Sequence, residues 1–320
     1  MPSLVTHYLG GELALSQNNS TLKPQIIDYY QTFIHGTSGP DLFFYYNAYP
    51  WMNQRAAKAV AHMGSVIHKR YINDCFKIIL ENTKDMDNPK LNAYVAGLLT
   101  HWALDAGLHP FIFYFSTSKH KRLSSGYHRR YEHMIDALML KQIKHVSVAE
   151  FKPQRIAIYD EDLVDIIMEV YGDPLDRIYN INLDREVARR SLNHFYRIEK
   201  QLNEPSVYQK TLYDLIEKIN GKPYSIRGSI IPDEVVDEYD VLNLEREGWA
   251  HPVSGEKHDE TFNELFIKAA QVASEAIDML ADYLEEKITI DEFLNFINNR
   301  SYETGLSKEM PMKFFECKYD

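Results

Sequence analysis

Leu91-Asn-Ala-Tyr-Val-Ala-Gly-Leu-Leu-Thr-His101-Trp-Ala-Leu-Asp105-Ala-Gly-Leu-His109 is the stretch whose reading decides the fold. It is built to be buried. From Leu91 to Ser118 a single residue, Asp105, is formally charged. An acid in such surroundings is costly unless something positive meets it, and no Lys or Arg stands near it in sequence. Two histidines, each four residues away, point to a metal ion as that partner. Helical residues four apart lie about 40° out of line, so His101 and Asp105 share a face, and His109 extends it if the helix persists that far.

Outward from this segment the pattern stays helical. Asp87-Asn-Pro89 reads as the helix start, with Pro89 at the first position. Pro110 disfavours helical geometry at His109, so the helix is expected to end near Leu108. Upstream, residues 24–34 read as a short first helix, 36–53 as a long Gly/Pro-containing loop, and 54–82 as a helical run bent near Gly64. Downstream, Ser124-Ser-Gly126 reads as a loop before a helix at 127–144. Further helices are expected at about 160–171, 184–203, 206–219, 259–286 and 289–298, with irregular connections at Asn220-Gly-Lys-Pro223 and Ile231-Pro-Asp233. Alternating strand-like runs are scarce. The fold class is therefore all-α, a multi-helix bundle. Ten of the thirteen histidines precede residue 146, which places any chemistry in residues 1–150 and leaves 151–320 as a helical C-terminal region.

The bulk numbers bound the function. The chain has 320 residues, 45% of them hydrophobic and 25% charged, with a net charge of −11 and a pI near 5.6. The acidic balance argues against a general nucleic-acid binder, although metal ions can supply positive charge locally to a phosphodiester. Cys75 and Cys317, the only cysteines, form neither a disulfide framework nor a thiolate zinc site. The start has no basic region followed by an apolar one, and His101, Asp105, His109 and Pro110 interrupt the most apolar run before it reaches the ~20 residues of a membrane span. A cytoplasmic protein without a transmembrane segment is expected.

A second pair, His128-Arg-Arg-Tyr-Glu132, repeats the His–carboxylate spacing, with Ile135 and Met139 along the same stripe. Two helices would thus each turn a His and an acid toward one core, a donor set that favours zinc over calcium or magnesium. Asp41, in Gly36-Thr-Ser-Gly39-Pro40-Asp41, sits on a loop where it can reach a metal; His68 and His7 complete the set. So many N and O donors exceed one tetrahedral zinc, and two or three ions are the simpler count. Each pair taken alone reads as readily as a buried hydrogen-bonded pair or a solvated face, Asp41 as a turn residue, and His68, beside Lys69 and Arg70, as exposed. Co-occurrence and the uncharged surround of Asp105 carry the metal reading. Asp136 could orient a ligand histidine, His133 points about 100° from Glu132 and reads as outer or exposed, Trp249-Ala-His251-Pro252 reads as loop packing, and Asp259 as a helix N-cap.

The order His7, Pro40-Asp41, His68, His101-xxx-Asp105, His109, His128-xxx-Glu132 resembles the zinc-dependent phospholipase C family, to which three-zinc single-strand nucleases are related. The resemblance covers roughly residues 1–150 and implies an all-helical zinc bundle, here with a helical C-terminal extension. It implies that Asp41, His68, His101 and Asp105 hold one zinc and that His109, His128 and Glu132 hold a second. Asp105 then bridges to a third that His7 helps bind. It also makes Asp41 the general base, or the group that orients the attacking water, and a lipid or other small phosphodiester the substrate. The secreted members use an N-terminal Trp at the third site; this chain opens Met-Pro instead. Tyr45, Tyr46 and Phe111–Phe115 are candidates for an apolar pocket wall, or for core packing. Two other readings stay open: a non-catalytic helical protein with structural metal, and a nucleotide phosphohydrolase built on His258-Asp259.

Overall fold

A computed structural model of the chain describes residues 4–49, 51–202, 206–235 and 239–320. The Met1-Pro2 start, Pro50 and the expected helix end at residue 203 lie outside them. The described residues form thirteen α-helices: α1 (Leu4–Gln17), α2 (Lys23–Asp28), α3 (Tyr30–Gly36), α4 (Gln54–Lys69), α5 (Ile72–Met86), α6 (Pro89–Ser116), α7 (Lys121–Lys144), α8 (Val148–Phe151), α9 (Glu161–Tyr179), α10 (Arg185–Leu202), α11 (Val207–Asn220), α12 (Phe262–Leu284) and α13 (Ile290–Ile297). Among the described residues the only strands are Trp249–Ala250 and Lys257–His258, an antiparallel pair. The all-α reading holds, and among the described residues no helix is long and apolar enough to cross a membrane.

Everything is arranged around α6. Asn88 caps it by accepting from the Lys90 and Leu91 amides, Pro89 occupies its first turn, and nearly all its side chains are buried. A helix apolar on every side needs neighbours on every side; α12 and α3 pack most closely against it, with α1, α2, α5, α7 and α9 around them. The α3 crossing is close because glycine faces glycine: a Cβ on Gly97 would fall 2.2 Å from the Phe33 carbonyl, and one on Gly36 would fall 2.3 Å from the Tyr94 carbonyl.

Several expectations are corrected. Residues 4–17 form a helix that the reading missed, because α1 is buried on several sides and carries no polar/apolar stripe. The helix expected at 24–34 is two, separated at Tyr29. The loop expected at 36–53 contains a 3-10 helix, Gly39–Tyr45. The 54–82 run breaks at Arg70–Tyr71, where Tyr71 takes φ 57°, and not at Gly64. Finally, α6 runs through Pro110 to Ser116. Proline there removes one hydrogen bond and crowds the carbonyl of Ala106. Gly305 packs so close to that carbonyl that a Cβ would fall 2.6 Å from it. The Ser124–Gly126 segment likewise lies inside α7, and Thr261, with Glu264 completing a capping box, caps α12 in place of Asp259.

Candidate metal centre

The eight residues come from five elements. His7 is on α1, Asp41 on the 3-10 helix, His68 at the end of α4, His101, Asp105 and His109 on α6, and His128 and Glu132 on α7. The extension of α6 past Pro110 is what keeps His109 on the Asp105 face. The helix begins at a fixed point, and His101, Asp105 and His109 follow at one-turn intervals.

The structure brings all eight together. The Nε2 of His7 is 3.0 Å from Asp105 Oδ1. His101 Nε2 is 3.2 Å from Asp105 Oδ2 and 3.4 Å from Asp41 Oδ2. His68 Nε2 is 3.2 Å from Asp41 Oδ1 and 3.7 Å from Asp105 Oδ2. Glu132 Oε1 is 3.1 Å from His128 Nε2 and 3.4 Å from His109 Nε2, and His109 Nδ1 is 3.6 Å from Asp105 Oδ1. Three groups result that could hold a metal ion: His7/His101/Asp105, Asp41/His68/His101 and His109/His128/Glu132. Seven of the eight side chains are buried, and His128 is partly so.

The other side of each ring decides what this cluster wants. His68 Nδ1 lies 2.7 Å from the Gly64 carbonyl, His101 Nδ1 3.0 Å from the Thr37 carbonyl, His109 Nδ1 2.8 Å from the Tyr302 carbonyl and His128 Nδ1 3.2 Å from Ser116 Oγ. A carbonyl only accepts, so in three of the rings Nδ1 carries the proton, and Nε2 of a neutral ring turns a lone pair toward carboxylate oxygens. Ser116 Oγ donates to the Ile112 carbonyl at 2.6 Å, which leaves its oxygen to accept from His128. Lone pair against carboxylate is repulsive unless a proton or a cation lies between them. Asp41 Oδ2, His101 Nε2, Asp105 Oδ2 and Glu132 Oε2 are buried yet aligned in no hydrogen bond. Buried polar atoms normally have such a partner, and atoms that converge without one fit a metal. Among the described residues no Lys or Arg pairs with Asp41, Asp105 or Glu132.

The electrostatics follow from this crowding. Burial pushes the Asp105 carboxyl up, but the His109 and His101 imidazoles overrule it and hold it well below the usual carboxylate range. Burial lifts Glu132 too, and His128 and His109 pull it well below its ordinary value. Burial pulls His68 and His109 down, yet Asp41 raises the first above its ordinary value, and Asp105 with Glu132 raises the second to about 10. A proton therefore sits on the His109 ring at neutral pH when no cation is there, and a metal bound at its Nε2 would have to displace it.

The remaining singled-out residues serve elsewhere. Asp136 accepts from the amides of Val5 and Thr6 at 3.4 and 2.7 Å and from the Thr6 hydroxyl at 2.7 Å, so it is turned to the start of α1. His133 is buried, not exposed, with Nδ1 2.7 Å from the Arg129 carbonyl of its own helix. His251 accepts from the Val253 and Ser254 amides and pins its loop to the Thr304 carbonyl. His258 stacks on Trp249 at 4.4 Å, and neither it nor Asp259 joins a metal-binding group. Tyr45, Phe111 and Phe115 are core residues, Tyr45 donating to Glu199.

A cleft of about 380 Å3 opens onto the centre, lined by Asp41, His68, His109, His128 and Glu132, with Phe44 and Phe113 as aromatic walls. His7, His101 and Asp105 are not on its lining. Sequence reading missed the groups that hold these rings in place. Tyr302 lies 193 residues from His109 in sequence, and its ring also packs 5.0 Å from His68 and 5.6 Å from His101; nothing local announces it. Gly39 was visible as a glycine but not for its reason: at φ 52° a Cβ would fall 2.2 Å from His101 Cδ2. Ser116, seven residues after His109, was findable from helical spacing. No family model, curated protein or solved structure matches the chain.

Proposed function

We propose that the protein is a zinc-dependent hydrolase of phosphodiesters, akin to phospholipase C, acting with metal-activated water on a phospholipid or another small phosphodiester. The observation that carries this reading is the orientation of the rings beside an open cleft: imidazoles pinned at Nδ1 turn Nε2 toward buried carboxylates, and His101 Nε2, Asp41 Oδ2, Asp105 Oδ2 and Glu132 Oε2 are aligned in no hydrogen bond. Asp41, His68, His101 and Asp105 would hold one ion, His109, His128 and Glu132 a second, and His7 with Asp105 a third. The chemistry zinc supplies when bound is Lewis acidity toward phosphoryl oxygens and acidification of water near neutral pH.

The chain's own residues do the rest. Three carboxylates with neutral imidazoles carry a charge of −3; two divalent ions bring +4 and three bring +6, so the centre ends net positive with either count and attracts a phosphate anion. Asp41 faces the cleft and is the side chain that orients water and takes its proton at a carboxylate oxygen. Phe44 and Phe113 keep solvent from one wall. The strong net negative charge favours a small or lipid substrate over a polynucleotide. One observation favours a structural role for part of the cluster: the His7/His101/Asp105 group is closed off from the cleft, and a closed site ties α1 to α6 without doing chemistry.

The test is hydrolysis of bis(p-nitrophenyl) phosphate and of a short-chain phosphatidylserine by the zinc-loaded full chain. Activity that a chelator abolishes and zinc restores is expected, with Asp41→Asn reducing it at least about a hundredfold. Zinc-replete protein inert toward every diester offered would leave only the structural role.

A further inference from the structure

One face of α7 runs from the metal centre to the rim of the cleft. Glu132, His128, Ser125 and Lys121 follow at spacings of four, three and four, so they lie on one stripe, and all four line the cleft. The first two are ligand candidates. The outer two have no role in the centre.

Among the described residues Lys121 is the only Lys or Arg on the cleft lining. In a chain with eleven more acids than bases it pairs with none of them among the described residues, whereas the one acid near the rim, Glu303, is engaged by Lys69 at 3.3 Å. Ser125 is primed from behind. Arg129 donates from Nη1 to Ser125 Oγ at 2.8 Å and is itself steadied by the Ser225 carbonyl at 2.9 Å. With its oxygen accepting from a guanidinium, the Ser125 hydroxyl has its proton to give, and no described residue takes it. The neighbouring Ser124 differs: it donates to the Ser118 carbonyl and accepts from the Ser118 amide. The aromatic walls offer little to a cation, since Phe113 stacks on His128 at 4.6 Å and Phe44 lies 5.8 Å from His68.

We propose that Lys121 and Ser125 form an anion subsite, so that the substrate is a phosphodiester carrying a second negative group, a carboxylate or phosphate, on the portion that points to the cleft rim. This rests on the hydrolase reading of the centre. The subsite lies one to two helical turns from His128, about 5–10 Å along α7, a span that a three-carbon linker covers. A head group ending in a quaternary ammonium would meet Lys121 and be rejected.

The experiment uses the zinc-loaded full chain and two product-like probes in titration calorimetry: propyl phosphate, and 3-phosphonooxypropanoate, the same chain ending in a carboxylate. The carboxylate probe should bind about tenfold tighter, the worth of one charge-assisted contact. Lys121→Ala, an exposed position, should bring the two affinities within about twofold of each other, Lys121→Arg should keep the preference, and Lys119→Ala, off the cleft, should leave it unchanged. Equal binding of both probes, or a preference that survives Lys121→Ala, overturns the subsite and leaves the hydrolase reading standing. Failure of both probes to bind overturns the hydrolase reading and the subsite with it.

Discussion

At the residue scale the imidazoles of His68, His101 and His109 are held at Nδ1 by backbone carbonyls and turn Nε2 toward carboxylates. On the proposed zinc reading, the His109 imidazole, raised to about 10 by Asp105 and Glu132 against the pull of burial, loses a proton when zinc binds its Nε2. Zinc affinity should therefore rise with pH between 6 and 9, with protons released into the buffer. Calorimetry in buffers of different ionisation enthalpy reads that release, and affinity independent of pH would mean that these rings are not ligands. His35 gives a separate pH signature. It is fully buried, neither ring nitrogen has a hydrogen-bond partner, and burial lowers its pKa to about 4. The unfolded chain protonates it near 6.5 while the folded chain does not, so its contribution is intact above that pH and is lost as pH falls toward 4. The loss is about 2 kcal/mol between pH 7 and 4.5. Urea unfolding at both pH values should show His35→Phe losing less stability than the parent protein over that range; equal losses would refute the assignment.

At the element scale, the precision of the centre depends on how α3 and the segment after it meet α6. The Thr37 carbonyl that holds His101 follows directly from α3, and Gly36 and Gly97 set the crossing. Gly97→Ala would drive a methyl group into the Phe33 carbonyl and should cost about 1–3 kcal/mol while loosening zinc, measured by the urea midpoint and by competition with a chelating dye. An unchanged midpoint would show that the crossing has slack. Helix positions were legible wherever a stripe or a cap marked them: Asn88-Pro89 for α6, and the long amphipathic run of α12. They were illegible where burial on several sides erased the stripe, as in α1, and where a distant residue changed a local preference, as when Gly305 packs beside the carbonyl that Pro110 leaves free. His101–Asp105 and His128–Glu132 were readable because four-residue spacing is a local signal. The carbonyls of Thr37, Gly64 and Tyr302 were not, since a backbone acceptor has no letter in the sequence.

At the scale of the whole molecule, the centre ties distant segments together. His7 brings α1 to α6, Asp41 and His68 bring the 3-10 helix and α4, Glu132 brings α7, and Tyr302 brings the segment after α13. Ions bound at their junction bind the folded chain alone, so the thermal midpoint should climb with free zinc by mass action and fall under chelation; a midpoint indifferent to both would speak against a metal that joins these elements. The most direct measurement is element-resolved mass spectrometry of the purified full chain beside Asp105→Asn. Two or three zinc ions per chain are predicted for the parent protein, with at least one lost from the variant. Less than one ion per chain after zinc loading, or an undiminished count in Asp105→Asn, would contradict the account.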